Sequence, residues 1–423
     1  MQNKRPFLYL VASDYPYGFG EPFLEEELEV IAPRFEKIYI LLPEPFRASK
    51  DTPKFSVPEN AEIIELQIVP SASDKLKAIT KWTSEAWQME RNAIKHRYHQ
   101  KMDVFHLKVM LAYQAGAEAF FQSLLSLMKK HGHGMEKSVV YSYWLTSQTI
   151  GMALLKKQFP ALRAVTRIHG WDCFYEVNPG HYLPFRPFVA KYLDGIHPIS
   201  EAGAHYTKKK LADPLAKVSA YKLGIGQLET PAVPSKKPKT LRILSLAFIT
   251  PVKRIDRMIE AIALTKDCEI EWTHIGNAPQ NDKSIADLAL ERLQTLPHVR
   301  YHFAGEMSKE QVYNYLNANH SDVLLCTSRS EGIPVSMMEA LGHGIPILSV
   351  NVGGIAEIVM DGENGELMKA DASATEIAAV LEKWAGLTEN EYALLSNKAY
   401  ASYLQYFSAP KNYNLFFSEV LNA

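Results

Sequence analysis

Two carboxylates, Glu331 and Glu339, stand eight positions apart on either side of the turn Gly332-Ile333-Pro334. Carboxylates accept hydrogen bonds from hydroxyls. The turn between them opens a helix, with Pro334 in the first helical position that its fixed φ and missing N–H favour. A helix start leaves backbone N–H groups unpaired and attracts an anion such as a phosphate. A hydroxyl grip, an anion seat and a second hydroxyl grip suit a sugar joined to a nucleoside diphosphate. The same pair also fits the solvated end of an ordinary strand–turn–helix joint, because short motifs match by chance. The neighbouring glycines argue for a ligand. Gly342 and Gly344 precede the apolar run Ile345–Val350, and Gly353 with Gly354 opens another helix near Glu357, so backbone can approach from two loops.

Reaction at such a ligand needs the diphosphate charge neutralised and an accepting group held beside the reacting carbon. Lys253, in the loop TPVKRID, is the best cation. Positive charge at a helix start is unfavourable unless an anion sits there. His169 and Asp172, in RIHGWDCF, end a strand where doubly wound sheets bind ligands. A histidine so placed is also compatible with a structural role, and Asp172 could position an acceptor or act as its base. Gly18 and Gly20, in YGFGE, allow backbone to approach a phosphate or the acceptor. They fit a flexible turn equally, and the segment is not a GxGxxG pattern. No metal-ligand cluster is evident.

The elements that must position these residues alternate between strand and helix. Phe7–Ala12 reads as a first strand, followed by a helix over Phe23–Phe35. Further strands fall at Lys37–Leu42, Ser138–Ser142, Ala164–Ile168 and Gly195–Ile199. Residues 227–240 hold three prolines and several lysines without apolar periodicity, and read as a linker. The alternation then restarts: Leu241–Ala247, a helix from about Asp256, Glu269–Ile275, Arg300–Phe303, Asp322–Cys326 and Ile345–Val350. The expected fold class is α/β, with two doubly wound Rossmann-like domains facing a central cleft.

A chain of 423 residues suffices for two full cores. Its net charge of −1 gives no case for nucleic acid as a partner. Cys173, Cys268 and Cys326 are few, odd in number and widely spaced, which fits core thiols in a reducing compartment. No apolar run reaches the roughly 20 residues of a membrane span. The basic start MQNKR runs into a first strand, not a signal peptide. The expected location is cytoplasmic. Residues 75–110 carry eight Lys or Arg against three Asp or Glu, with Trp82, Trp87 and Phe105 interleaved. That composition suits either peripheral contact with the inner face of the cell membrane or a solvated helical insertion with its aromatics in the core.

The stretch from Cys326 to Gly365 resembles the signature of retaining glycosyltransferase family 4: a Glu, seven residues, a second Glu, then Gly-x-Pro and Gly-Gly. YSYW, HGWD and LPFR resemble bacterial members that build surface polysaccharides. The resemblance implies the GT-B fold, with an N-terminal acceptor-side domain over 1–226 and a nucleotide-sugar domain over 241–408. It also implies a last helix, 409–423, that crosses back onto the first domain. Glu331 then holds the donor sugar's hydroxyls, Glu339 the nucleotide ribose, and Gly332, Ile333, Pro334 and Val335 form the loop at sugar and phosphate. Lys253 meets the diphosphate, His169 faces the donor's anomeric region, and Gly276 (HIGN) and Gly305 (FAGE) lie near the nucleotide base.

Implied partners are a nucleoside-diphosphate sugar (UDP- or GDP-) and a saccharide or lipid-linked acceptor. Transfer is retaining and metal-independent, with no cofactor. The chain departs from the family pattern at Ala247-Phe248, where members carry Gly-Arg. Either Lys253 and the helix start suffice, or Arg254 or Arg329 compensates, or activity is weak or lost. A sugar-nucleotide epimerase and a non-catalytic sugar-nucleotide-binding subunit are the alternatives; a phosphorylase lacks its pyridoxal-lysine context here.

Overall fold

A computed structural model describes residues 6–18, 20–43, 52–66, 68, 70, 83–211, 217–226, 228, 237–278 and 283–422. Most of the 227–240 linker segment, and residues 75–82 of the basic stretch with Trp82, lie outside the described residues. The chain forms two compact units, Met1–Gly224 with Ala409–Ala423, and Ile225–Ser408.

The first unit is built on a parallel sheet of β1 (Phe7–Val11), β2 (Lys37–Pro43), β3 (Ala61–Leu66), β4 (Ser138–Ser142), β5 (Arg163–Ile168), β6 (Gly195–Pro198) and β7 (Lys217–Val218). Their order is β3-β2-β1-β4-β5-β6-β7, so the winding direction reverses between β1 and β4. The central strands are buried almost end to end, as a sheet covered on both faces requires, and β5 (RAVTRI) carries the fully buried Arg167 among its apolar residues. The helix expected over Phe23–Phe35 is α-helical only over Phe23–Ile31 and tightens into a 3-10 turn at Ala32–Arg34. Pro33, which lacks an N–H and crowds the preceding turn, ends the regular helix there. In the basic stretch, helices Glu85–His96 and Val104–His131 form. Trp87 is in the core, edge-on to Phe185, and therefore has no part in a membrane face. The C-terminal helix Ala409–Phe416 packs within this unit: Arg34 donates to Asn414 at 3.1 Å, and Phe416 lies 5.4 Å from Tyr141.

The second unit repeats the plan with β8 (Thr240–Leu246), β9 (Glu269–Ile275), β10 (Val299–Gly305), β11 (Val323–Cys326), β12 (Ile347–Val350) and β13 (Gly365–Met368). The order is β10-β9-β8-β11-β12-β13, all parallel, with the reversal between β8 and β11. Asp322 pins these two strands at their amino ends. Its buried carboxylate accepts from Arg242 N at 2.8 Å and Nη2 at 2.7 Å. Helix Ile255–Leu264 buries Ile255, Met258, Ile259 and Ile262, a 3–4 spacing that gives it one apolar face. The residues after Gly354 form only a 3-10 turn, Ile355–Glu357, where a helix was expected. Of the cysteines, Cys173 and Cys268 are buried and Cys326 is half-buried, all as free thiols. No helix among the described residues is long and apolar enough to cross a membrane.

Candidate functional site

In an open parallel sheet, the loops after the two strands flanking the reversal diverge and leave a crevice. In the second unit those loops are the ones after β8 and β11, and they carry Lys253 and Glu331. Lys253 Nζ lies 2.6 Å from Glu331 Oε1, and Ser328 Oγ donates to the same oxygen at 2.5 Å. The Glu331 side chain is 9% exposed and that of Lys253 27%, so the pair is shielded but open on the lysine side. The loops are tied at backbone level. Arg329 N donates to Val252 O at 2.8 Å, and Thr327 Oγ1 donates to Arg254 O at 2.8 Å. Neither Ser328 nor Thr327 is singled out by the sequence, where proximity to Glu331 is the only signal.

Pro334 does not occupy the first helical position. It is the N-cap, with extended ψ of 127°, and the helix runs Val335–Gly342. With proline as cap, no side chain serves the first-turn amides. Ile333 is buried, Gly332 is exposed, and Val335 is half-buried at the helix start. Glu339 is half-buried in the second turn, four residues from Val335 and so on the same side of the helix.

Gly353 explains the second glycine joint. Its φ is +55°, and a Cβ there would meet Glu331 O at 1.8 Å. Gly354 N donates to Gly332 O at 3.1 Å. The Gly-Gly joint therefore buttresses the Glu331 turn from behind. Gly276 makes a comparable approach after β9, where a Cβ would meet Ala247 O at 1.9 Å, and its N–H donates to Gly305 O at 2.8 Å. The loops after β8, β9 and β10 are thereby tied together through Gly276 and Gly305. Phe248 is 58% exposed on the first of them. Cations do gather near Lys253: desolvation, and then the positive charges of Arg257 and Arg329, lower the pKa of Arg254. Arg254 Nε is buried without a partner.

The first unit holds the other predicted residues. Asp172 is buried, accepting from His169 N at 2.7 Å and Leu145 N at 3.0 Å. Burial pushes its pKa up to about 6. Its oxygens bind the loops after β4 and β5 together, so it is a positioning residue and not a base open to an acceptor. His169 sits between Tyr143 at 4.5 Å and Trp144 at 4.3 Å. Burial, with Arg167 nearby, holds its pKa well below the usual histidine range, so the ring is neutral.

The Gly18 N–H is turned inward, donating to Asp14 O at 2.9 Å. The N–H groups of Ser13, Asp14 and Tyr15 in that loop all donate to Glu21, at 2.8 to 3.0 Å. The side of Gly18 where a Cβ would stand is filled by Asp14. A buried carboxylate already occupies the seat a phosphate would need. Glu21 was legible only as the end of YGFGE. Among the described residues, no three His, Cys, Asp or Glu side chains are grouped to hold a metal ion.

Residues 227–401 match the family model described as Glycosyl transferases group 1. The match lies within the second unit and spans less than half of the chain. Over 249 residues the chain is 27% identical to a putative colanic acid biosynthesis glycosyltransferase, WcaL, of Escherichia coli, covering 56% of this chain and 59% of that one. Over 153 residues it is 33% identical to the amylovoran biosynthesis glycosyltransferase AmsK of Erwinia amylovora, covering 33% of this chain and 35% of the relative. The chain thus spans between a third and three fifths of the length of these relatives. Solved structures similar to it include the Anabaena protein HepE in complex with UDP and glucose, with TM-score 0.61 and 15% identity over 99% of this chain and 100% of that chain. Sucrose-phosphate synthase of Thermosynechococcus elongatus gives TM-score 0.66 at 14% identity over 98% of both chains. At such identities the likeness speaks for the fold, two parallel-sheet α/β domains of GT-B type.

Proposed function

We propose that this chain transfers a sugar from a nucleoside diphosphate to a hydroxyl of a saccharide or lipid-linked saccharide in surface or exopolysaccharide synthesis, retaining the anomeric configuration. The observation that carries the reading is the Lys253–Glu331 pair at the β8/β11 reversal, beside an uncapped helix start. Without donor, each charge satisfies the other. With donor, Lys253 turns to the diphosphate, and Glu331 accepts from the sugar's hydroxyls. Glu339 takes the ribose hydroxyls one turn further on.

As the bond from the anomeric carbon to the phosphate oxygen breaks, negative charge grows on the leaving diphosphate. Lys253, Arg329 and the helix amides stabilise it. The acceptor oxygen bonds to the same face of that carbon and gives its proton to the departing phosphate oxygen. Neither glutamate acts as nucleophile, unlike the paired carboxylates of glycosidases. In this reading side chains and helix amides meet the charge, with no metal and no cofactor. The named relatives act in polysaccharide assembly, which supports an acceptor of that class. The exposed Met102, Val104 and Phe105 beside Lys101 and Lys108 support a peripheral contact with anionic lipid at the cytoplasmic face.

A second reading, a non-catalytic sugar-nucleotide-binding subunit, is favoured by Phe248, exposed where an arginine is expected. One experiment separates them: incubation with a panel of UDP- and GDP-sugars in EDTA, with and without a membrane extract as acceptor, scoring nucleotide release. Slow release alone and faster release with extract is the expected result. Binding without release favours the subunit, and no binding of any donor overturns both.

A further inference from the structure

The first sheet has its own reversal, between β1 and β4, and the loops there gather groups that folding alone does not explain. Trp171, in the turn after β5, is 44% exposed. Its ring stacks on Trp144 at 5.6 Å and 25°. Trp144 is itself held rigidly: its Nε1 donates to buried Glu21 at 2.7 Å, and its ring leans on His169 at 4.3 Å. The Trp171 backbone is anchored too, its carbonyl accepting from Asn178 Nδ2 at 2.6 Å. A large apolar ring on a fixed mount keeps one face toward solvent.

The loops at this reversal also hold polar atoms without protein partners. His169 Nδ1 and Nε2 and Asp14 Oδ1 are all buried and unpaired. Buried polar groups are ordinarily hydrogen-bonded, so such orphans on these loops point to a ligand. Asp14 belongs to the loop whose amides converge on Glu21, and Glu21 in turn holds Trp144. His169 and the two indoles are thus in ring contact, and Asp14 is joined to them through its backbone and Glu21.

The chemistry selects the ligand class. An anion is excluded by the Asp14 carboxylate and by the loss of the Ser13–Tyr15 amides to Glu21. A purely apolar group would leave Asp14 and His169 unpaired. A pyranose ring carries an apolar C–H face for an indole and a rim of hydroxyls that donate to carboxylate and imidazole. We propose that Trp171, mounted on Trp144, is the stacking platform for a neutral pyranose of the acceptor saccharide, with Asp14 and His169 accepting its hydroxyls. This deepens, and rests on, the transferase reading.

The test uses the full chain and its Trp171→Ala and Trp171→Phe variants. Tryptophan fluorescence is titrated with methyl glucoside, methyl galactoside, methyl mannoside and their β-linked disaccharides. Donor hydrolysis without acceptor is measured in parallel. The expected result is saturable quenching of the native chain by at least one saccharide. Affinity should weaken about tenfold or more in Trp171→Ala, equivalent to about 1.4 kcal/mol, and be kept within threefold by Trp171→Phe. Donor hydrolysis should be unchanged in both variants. Equal saccharide affinity in Trp171→Ala, or no saccharide response in the native chain, overturns the proposal. Trp171-dependent saccharide binding with no release from any donor overturns the transferase reading while leaving the platform standing.

Discussion

Replacing Glu331 by glutamine keeps the side chain's volume and one acceptor oxygen while removing its charge. In the native chain that carboxylate takes Lys253 Nζ at 2.6 Å and Ser328 Oγ at 2.5 Å. Charge-assisted hydrogen bonds contribute about 1.5–3 kcal/mol and neutral ones about 1. The loss is therefore about 1–2 kcal/mol, toward the lower end because the Lys253 side chain is 27% exposed and partly screened. For a domain of this size that lowers Tm by about 2–8 °C. The effect on chemistry is larger: a charged group lost from a transition-state contact costs about 100- to 1,000-fold in turnover. UDP affinity should hold or tighten, because Lys253 is released from its partner. The assay is nucleotide release from the preferred donor at a temperature where calorimetry shows both proteins folded, with UDP binding measured separately. Turnover within threefold of the native chain would refute the assignment. A loss of turnover matched by an equal loss of UDP affinity would make the pair a structural brace.

Gly353→Ala places a Cβ 1.8 Å from Glu331 O at a φ of +55°. It should displace the Glu331 turn and destabilise by about 2 kcal/mol or more; a native melting curve with native donor hydrolysis would contradict the buttress. Glu90, fully buried, accepts from Tyr182 Oη and Phe185 N, each at 2.8 Å, and burial pushes its pKa up from 4.5 to about 7. The folded state then binds a proton that the unfolded state has released, so stability should fall as pH rises from about 4.5 to 7 and level off above. The expected loss from this group is on the order of 2 kcal/mol. Denaturant titrations at pH 5 and pH 7.5 should show that slope in the native chain and a shallower one in Glu90→Gln; identical slopes would sink the idea.

Most strands that sequence alone could locate are inner ones with apolar runs buried on both faces; β10, an edge strand with the half-exposed sequence VRYHFAG, is the exception. The three it missed, β3, β7 and β13, pair within sheets whose centres supply the order. β3 and β7 are edges of the first sheet and β13 of the second. AEIIEL and GELM mix charges with apolar residues, and β7 spans only two residues. Such segments become strands because a neighbour offers hydrogen bonds, which no local pattern records. Helix ends were blurred for a similar reason. Pro334 suits a first helical position and a cap equally well until the preceding turn is packed against Gly354.

At the site, sequence alone determined residue chemistry: two glutamates about a Gly-Ile-Pro turn, a lysine on another loop, and a Gly-Gly joint. These are local statements, carried by residue type and spacing. Only the tertiary structure decided which charges meet, because Lys253 and Glu331 are 78 positions apart and are joined by the β8/β11 reversal. It likewise turned Asp172 from a candidate base into a loop anchor. It filled the first unit's glycine loop with Glu21, brought Trp144, Trp171 and His169 into ring contact, and tied the Asp14 backbone to them through Glu21. Burial and unpaired atoms are properties of a packed environment, and a chain acquires them only when distant segments close around the same point.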